Sequence, residues 1–211
     1  MIDILYKDKS IIVCIKLPGE LSQEGKTGEK SLVTALSEQC GGEIYPVHRL
    51  DRDAGGVMVY ARTRKAAAYL SDLIARHEFE KEYLCITRGT PAEDAGEYRD
   101  LLLHDKQRNK TFVVNRMRGG VKEAILNYRV LAHGADSALV RVTLQTGRTH
   151  QIRVQFASRK TPLVGDGKYG GGKGELALWS CHLAFCHPDS GKKLSFGRLP
   201  GGGVWTEYEL L

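Results

Sequence analysis

Apolar and polar positions along this chain fall into short runs of two different periods. Ile4-Leu5-Tyr6 and Ile11-Ile12-Val13-Cys14-Ile15 flank Lys7-Asp8-Lys9-Ser10, which predicts a β-hairpin. Residues 17–30 are rich in glycine and charge and read as a loop. Residues 31–40 place Leu32, Val33, Ala35 and Leu36 at helical spacing, and Gly41-Gly42 can close that helix. Residues 57–61 form an apolar strand. Thr63 can then cap a helix over residues 64–77, whose Ala67, Leu70, Leu73 and Ile74 fit the helical period.

Strands dominate beyond that helix. Residues 82–87, 111–114, 124–131 and 137–144 read as strands, whereas residues 91–100 read as a solvated acidic connection. Thr149 is placed to cap a helix running to Arg159, and residues 163–174 form a long glycine-rich loop. Two further strands, over residues 177–185 and 193–196, complete the set. Strands in neighbouring pairs with few helices predict an α+β fold, a mixed, mostly antiparallel sheet with a few flanking helices. Neither a repeat nor a linker marks off a second domain, so residues 1–211 are taken as a single domain.

Composition narrows the class. With 42% hydrophobic and 27% charged residues, the chain suits a globular domain and not a disordered one. A net charge of +6 permits nucleic-acid binding without requiring it. There is no secretory or transit signal and no apolar run of membrane-spanning length. The five cysteines are odd in number and scattered through apolar stretches, which points to reduced thiols and a cytoplasmic protein. Cys181-His182 and Cys186-His187 repeat a pair at a spacing of five, but the interval is apolar and strand alternation turns the two cysteines to opposite faces. A buried strand ending at His187-Pro188 accounts for them better than zinc.

The stretch His48-Arg49-Leu50-Asp51-Arg52-Asp53-Ala54-Gly55-Gly56 holds a carboxylate beside arginines, just before a glycine pair suited to a tight turn. Such an acid is either a nucleophile or electrostatic catalyst, or a turn-capping Asp paired with a surface Arg. On these nine residues alone the plainer reading is favoured.

Further strings change that balance. His48-Arg49-Leu50-Asp51 resembles the signature of the RluA-type pseudouridine synthases, and Lys81-Glu82-Tyr83 resembles the family's second motif. Residues 147–154, Gly-Arg-Thr-His-Gln-Ile-Arg-Val, resemble the third and are the most specific string in the chain. Residues 164–170 and 183–188 are similar to the family's C-terminal segments, and Lys16-Leu17-Pro18-Gly19 resembles its Lys-Pro-Gly step with a Leu inserted. The chain opens directly on the region resembling the catalytic domain, without the N-terminal RNA-binding module that many members carry.

The resemblance implies isomerisation of a specific uridine in ribosomal or transfer RNA, with no metal and no cofactor; the apolar runs are too short for a membrane partner, and a monomer is the default. Asp51 is then the catalytic carboxylate, acting at ribose C1′ as the base departs. Tyr83 stacks on the uracil or is a half-buried sheet tyrosine. Arg153, at the end of the third motif, is the ionic partner expected for Asp51. Helical spacing would set His150 and Arg153 on one face and Ile152 and Phe156 on another.

Arg49 resembles the residue that fills the space left by a flipped base, its alternative being a salt bridge in the turn. His48, Lys81, Arg148, His150 and Asp166 complete the candidate substrate-binding set; Lys81 and Asp166 could equally be a solvated charge and a turn residue. Lys106, Arg108, Lys110, Arg116, Arg118 and Lys122 surround Phe112-Val113-Val114, as in a hairpin carrying basic ends along an RNA backbone. Ala54-Gly55-Gly56 departs from the Thr-Ser-Gly of many members and lacks two hydroxyls that would fix the turn. Two rivals stand beside this reading. One is a catalytically silent RNA-binding protein of the same fold; the other is a nucleosidase using Asp53 as a second carboxylate.

Overall fold

The computed structural model describes residues 1–25 and 28–208. Lys26 and Thr27, inside the expected 17–30 loop, and residues 209–211 lie outside the described residues. The chain forms two compact units, Met1–Lys81 with Ser180–Leu199, and Glu82–Trp179 with Pro200–Leu211.

In the first unit, β1 (Ile4–Lys7) and β2 (Ile11–Lys16) form the expected hairpin. Its turn is fixed by Asp8, whose carboxylate accepts the Ser10 and Ile11 amides at 2.7 and 2.8 Å. α1 (Leu32–Cys40) is capped by the Ser31 hydroxyl and closed by Gly41 at φ 72°. A two-residue strand, β3 (Tyr45–Pro46), and β4 (Gly55–Ala61) follow. α2 (Arg64–Ala75), capped by Thr63, packs on β4 and stops short of His77, which has φ 60°. β2 and β4 pair antiparallel, and every residue of both is buried, hence their continuous apolar runs. β10 (Leu178–Cys186) neighbours β4 and pairs antiparallel with β11 (Lys193–Gly197).

The second unit orders its strands β5 (Glu80–Arg88), β9 (Ser137–Leu144), β8 (Val121–His133), β6 (Ala95–Asp105) and β7 (Lys110–Val114), all antiparallel. The α+β, mostly antiparallel architecture is the expected one. α3 (Gln151–Ser158) packs against β6 and β7, where Val154 meets Leu102, Ala124 and Val113.

Three expectations need correction. The acidic stretch 91–100 is not merely a solvated connection: from Ala95 it is strand, paired with β8 from Ala95↔Arg129 to Leu103↔Val121. Residues Ala95, Gly96 and Glu97 are exposed, so the strand's first turns carry no apolar alternation. Second, Thr149 does not cap α3. The residue before the helix is His150 at φ 54°, and Gln151 Oε1 reaches back to accept the Arg148 amide at 3.0 Å.

Third, α3 has no polar and apolar faces, because all of Gln151, Ile152, Arg153, Val154, Gln155 and Phe156 are buried. Its polar residues are tied internally. Gln151 Nε2 donates to Ile125 O at 3.1 Å, and Gln155 Nε2 donates to Asp100 Oδ2 at 2.8 Å. Such pairing is what makes buried polar groups tolerable.

Candidate active site

The signature loop belongs to the first unit. Asp51 is half-buried and opens a turn closed by the Ala54 amide on Asp51 O, 3.2 Å away. The glycines lie after that turn, at the start of β4. At Gly56, φ is 121° and a Cβ would stand 2.3 Å from Ser180 O, so that residue serves close strand approach.

The turn is held from beneath by Lys16, a side chain the sequence reading did not assign. Its ammonium is fully buried and donates to the carbonyls of Ala54, Arg52 and Leu17 at 2.6, 2.7 and 3.1 Å. Three N–H donors meet three carbonyls, and burial brings the lysine's pKa down to about 8. Ser22 adds a second tie, bonding both the amide and the carbonyl of Leu50 at 3.1 and 3.0 Å. The turn that lacks hydroxyls at Ala54 and Gly55 is thus tied through its backbone carbonyls to an internal ammonium. The signal for it was the Lys-Leu-Pro-Gly step.

His48 faces inward. Its Nε2 accepts the Val59 amide at 3.1 Å, and its ring meets Phe79, which stacks on Phe185 at 5.0 Å. The proton therefore sits on Nδ1, which has no partner among the described residues. Burial, reinforced by the nearby Lys81 charge, lowers the imidazole pKa to about 3. Lys81 itself lies over the Phe79 ring at 5.9 Å and is pulled down by burial. Arg49 is exposed, with no ion pair to a described residue, whereas Arg52 pairs with Glu29 at 3.1 Å.

His48 makes the fold acid-sensitive. Unfolded, the ring titrates near 6.5; folded, it resists protonation down to about 3. The unfolded state thus binds the extra proton first, and the stability is complete above pH 6.5 and lost as pH falls towards 3. Between pH 7 and 5 this group should account for about 2 kcal/mol of lost stability. Denaturant unfolding at the two pH values checks it: His48→Gln should lack that increment.

The second unit holds the other motifs. Tyr83 is buried on β5 opposite Val142. Arg153 grips Asp166 with both arms, Nε to Oδ2 at 2.7 Å and Nη2 to Oδ1 at 2.8 Å, the side chains 6% and 0% exposed. Asp166 Oδ1 also takes the Lys168 and Tyr169 amides at 3.2 and 3.3 Å, so the glycine-rich loop is folded around this carboxylate. His150 Nδ1 lies 2.9 Å from the Tyr169 hydroxyl, which accepts the Thr111 amide at 2.7 Å. Arg148 is half-exposed and donates to Glu123 O at 2.9 Å.

The six basic candidates do not line one hairpin formed by β7 and β8. β7 pairs with β6, placing Lys106 and Arg108 at the β6–β7 turn. β6 lies between β7 and β8, so residues 115–120 cross over it, carrying Arg116 and Arg118. Lys122 follows in β8. Arg108 is engaged with Asp105 at 3.6 Å, and Lys110 sits over the Tyr169 and Phe112 rings at 5.2 and 5.9 Å. Lys106, Arg116, Arg118 and Lys122 remain exposed without ion pairs to described residues. The Cys-His pairs are otherwise occupied: His182 bonds Ser195 at 2.8 Å and His187 bonds Asp8 at 2.7 Å.

The first unit thus carries a carboxylate on a clamped turn; the second carries, separately, a buried arginine–carboxylate fork and exposed cations suited to an anionic polymer. The chain matches the RNA pseudouridylate synthase family over residues 10–158 and belongs to it. It is 31% identical to ribosomal large subunit pseudouridine synthase D of Zymomonas mobilis, over 92% of this chain and 68% of that protein. With tRNA pseudouridine synthase C of Haemophilus ducreyi it shares 29% identity, over 94% and 90% of the two chains. The solved structure of human RNA pseudouridylate synthase domain containing 4 has the same fold, with a TM-score of 0.77 at 24% identity over 94% and 88% of the chains. The chain spans about two thirds or less of several curated relatives it matches. No helix among the described residues is long and apolar enough to cross a membrane.

Proposed function

We propose that this chain converts a uridine of ribosomal or transfer RNA to pseudouridine, with Asp51 as the reacting carboxylate. The observation that carries this reading is the Asp51 turn, clamped by buried Lys16 within a chain of the RNA pseudouridylate synthase family. A carboxylate that must meet C1′ as the glycosidic bond breaks gains from a fixed backbone, because misplacement by about 1 Å costs about a hundredfold in rate. Tyr83 supplies a ring for the extruded uracil, and Arg153, held by Asp166, supplies positive charge. Arg49, exposed and unpaired with described residues, is free to enter the space the base leaves. His48 contributes to the framework more than to contact with substrate, since its Nε2 is taken by β4.

The relatives named for ribosomal and transfer RNA support an RNA substrate. The cytoplasm suits five cysteines that are not joined in disulfides, and the chain is taken as a monomer. RNA is held through phosphates by Lys106, Arg116, Arg118 and Lys122. With about four such contacts, affinity should fall about a hundredfold between 50 and 200 mM salt. Filter binding across that range checks it, and a flat response would remove these side chains from the interface. The decisive experiment is pseudouridine mapping of total RNA from cells with and without the gene. A uridine modified only when the gene is present establishes the reaction and its target; unchanged maps favour the silent RNA-binding protein.

A further inference from the structure

Tyr169, in the glycine-rich loop, touches several polar groups of the second unit at once. Its ring lies under the Arg153 guanidinium, 5.3 Å from CZ to the centroid, and Lys110 Nζ stands 5.2 Å from the same centroid. Its hydroxyl accepts the Thr111 amide from β7 and bonds His150 Nδ1. Its own amide is bound by Asp166, the carboxylate that grips Arg153. The ring also packs on the Leu102–Ala124–Val154 cluster, so both its ends are fixed.

We propose that Tyr169 is a positioning residue for Arg153. The reading rests on the proposed pseudouridine synthase activity. Asp166 restrains the guanidinium in its plane through two hydrogen bonds, but a fork of that kind leaves the faces of the plane unrestrained. The aromatic ring restrains one of those faces by cation–π attraction. The hydroxyl in turn keeps the ring in place by anchoring it to β7 and to His150. His150 holds a left-handed backbone at φ 54°, uncommon for a residue with a side chain, and its ring is directed at that hydroxyl. Lys110 shares the ring from the β7 side, so a phosphate drawing Lys110 away changes the charge on the surface that supports Arg153.

The test compares Tyr169→Phe and Tyr169→Leu with the unaltered full chain in single-turnover pseudouridine formation on an RNA identified by mapping, beside RNA affinity and thermal unfolding. Tyr169→Leu should slow the single-turnover rate about tenfold to a hundredfold with RNA affinity changed less than about threefold, because the guanidinium loses its support rather than the RNA its contacts. Tyr169→Phe keeps the ring and should recover most of that loss. The hydrogen exchange of the Arg153 Nε–H, followed by NMR without RNA, should quicken about tenfold in Tyr169→Leu and much less in Tyr169→Phe.

A merely structural tyrosine would lower thermal stability while leaving the rate per folded molecule and the Nε–H exchange unchanged, and that result overturns the proposal. An unaltered chain that forms no pseudouridine while Arg153 exchange still responds to Tyr169→Leu would sink the activity and leave the positioning standing. Full activity in both variants would sink only the positioning.

Discussion

Asp51→Asn should reduce pseudouridine formation by about ten-thousand-fold or more while RNA binding stays within about threefold. The substitution keeps the size of the side chain and the turn that Lys16 clamps through backbone carbonyls, so it removes charge and nucleophilicity at one position. Release of tritium from C5-labelled uridine under single-turnover conditions measures the reaction, and titration of the same RNA measures binding. A residual rate within about tenfold of the unaltered chain would take Asp51 out of the chemistry. The nucleosidase reading makes the opposite demand, since it needs Asp53, an exposed residue inside the turn, and turnover of free uridine.

Lys16→Met should be the most disruptive change remote from the reacting atoms. It leaves the carbonyls of Leu17, Arg52 and Ala54 without their shared donor, at a cost of about 2–4 kcal/mol at pH 7 after allowing for the burial of charge it relieves. Lysine titrates near 10.5 when unfolded and at about 8 here, so between those values the unfolded chain holds the proton that the folded one releases. Stability from this group is therefore full above pH 10.5 and lost as pH falls towards 8. The unaltered protein should gain on the Met variant across that window by at most about 3 kcal/mol. Unfolding free energies at pH 7.5, 9 and 10.5 for both proteins check the sign; a gap that narrows with rising pH would show that the three carbonyl bonds outweigh burial and hold the lysine's pKa above its unfolded value. Activity should fall further than stability, because the loosened segment carries Asp51.

Much of this was legible in the residues themselves. The hairpin, the Thr63 cap and the buried strand at β4 follow from period and capping chemistry, which act within a few residues. The motif strings name Asp51, Tyr83, Arg153 and Asp166 as candidates, and the structure joins the last two in one buried fork. What escaped was set by distant partners. β6 is a strand because β8 lies beside it, and nothing in Gly96-Glu97 announces that. Helical spacing sets His150 and Arg153 apart from Ile152 and Phe156, yet six consecutive residues of α3 are buried, and Gln151, Arg153 and Gln155 each find a partner across space. Lys16 reads as a strand-end charge until its three carbonyls are seen, two of them contributed from more than thirty residues away.

The first unit is discontinuous, and this bears on how it is made. β4 emerges early in synthesis, yet the backbone that lies against Gly56 and donates its Ser180 hydroxyl to Val57 O comes 123 residues after Val57. At about 5–20 residues per second the ribosome needs about 6–25 s to deliver it. Throughout that interval Val57-Met58-Val59-Tyr60, wholly buried in the finished protein, has one edge without its β10 neighbour. An apolar strand with an open edge is a pairing site for other nascent chains. The scaffold of Asp51 therefore depends on whatever shields that edge during translation, and a slowly decoded stretch placed between β4 and β10 would lower yield without altering a single residue of the product.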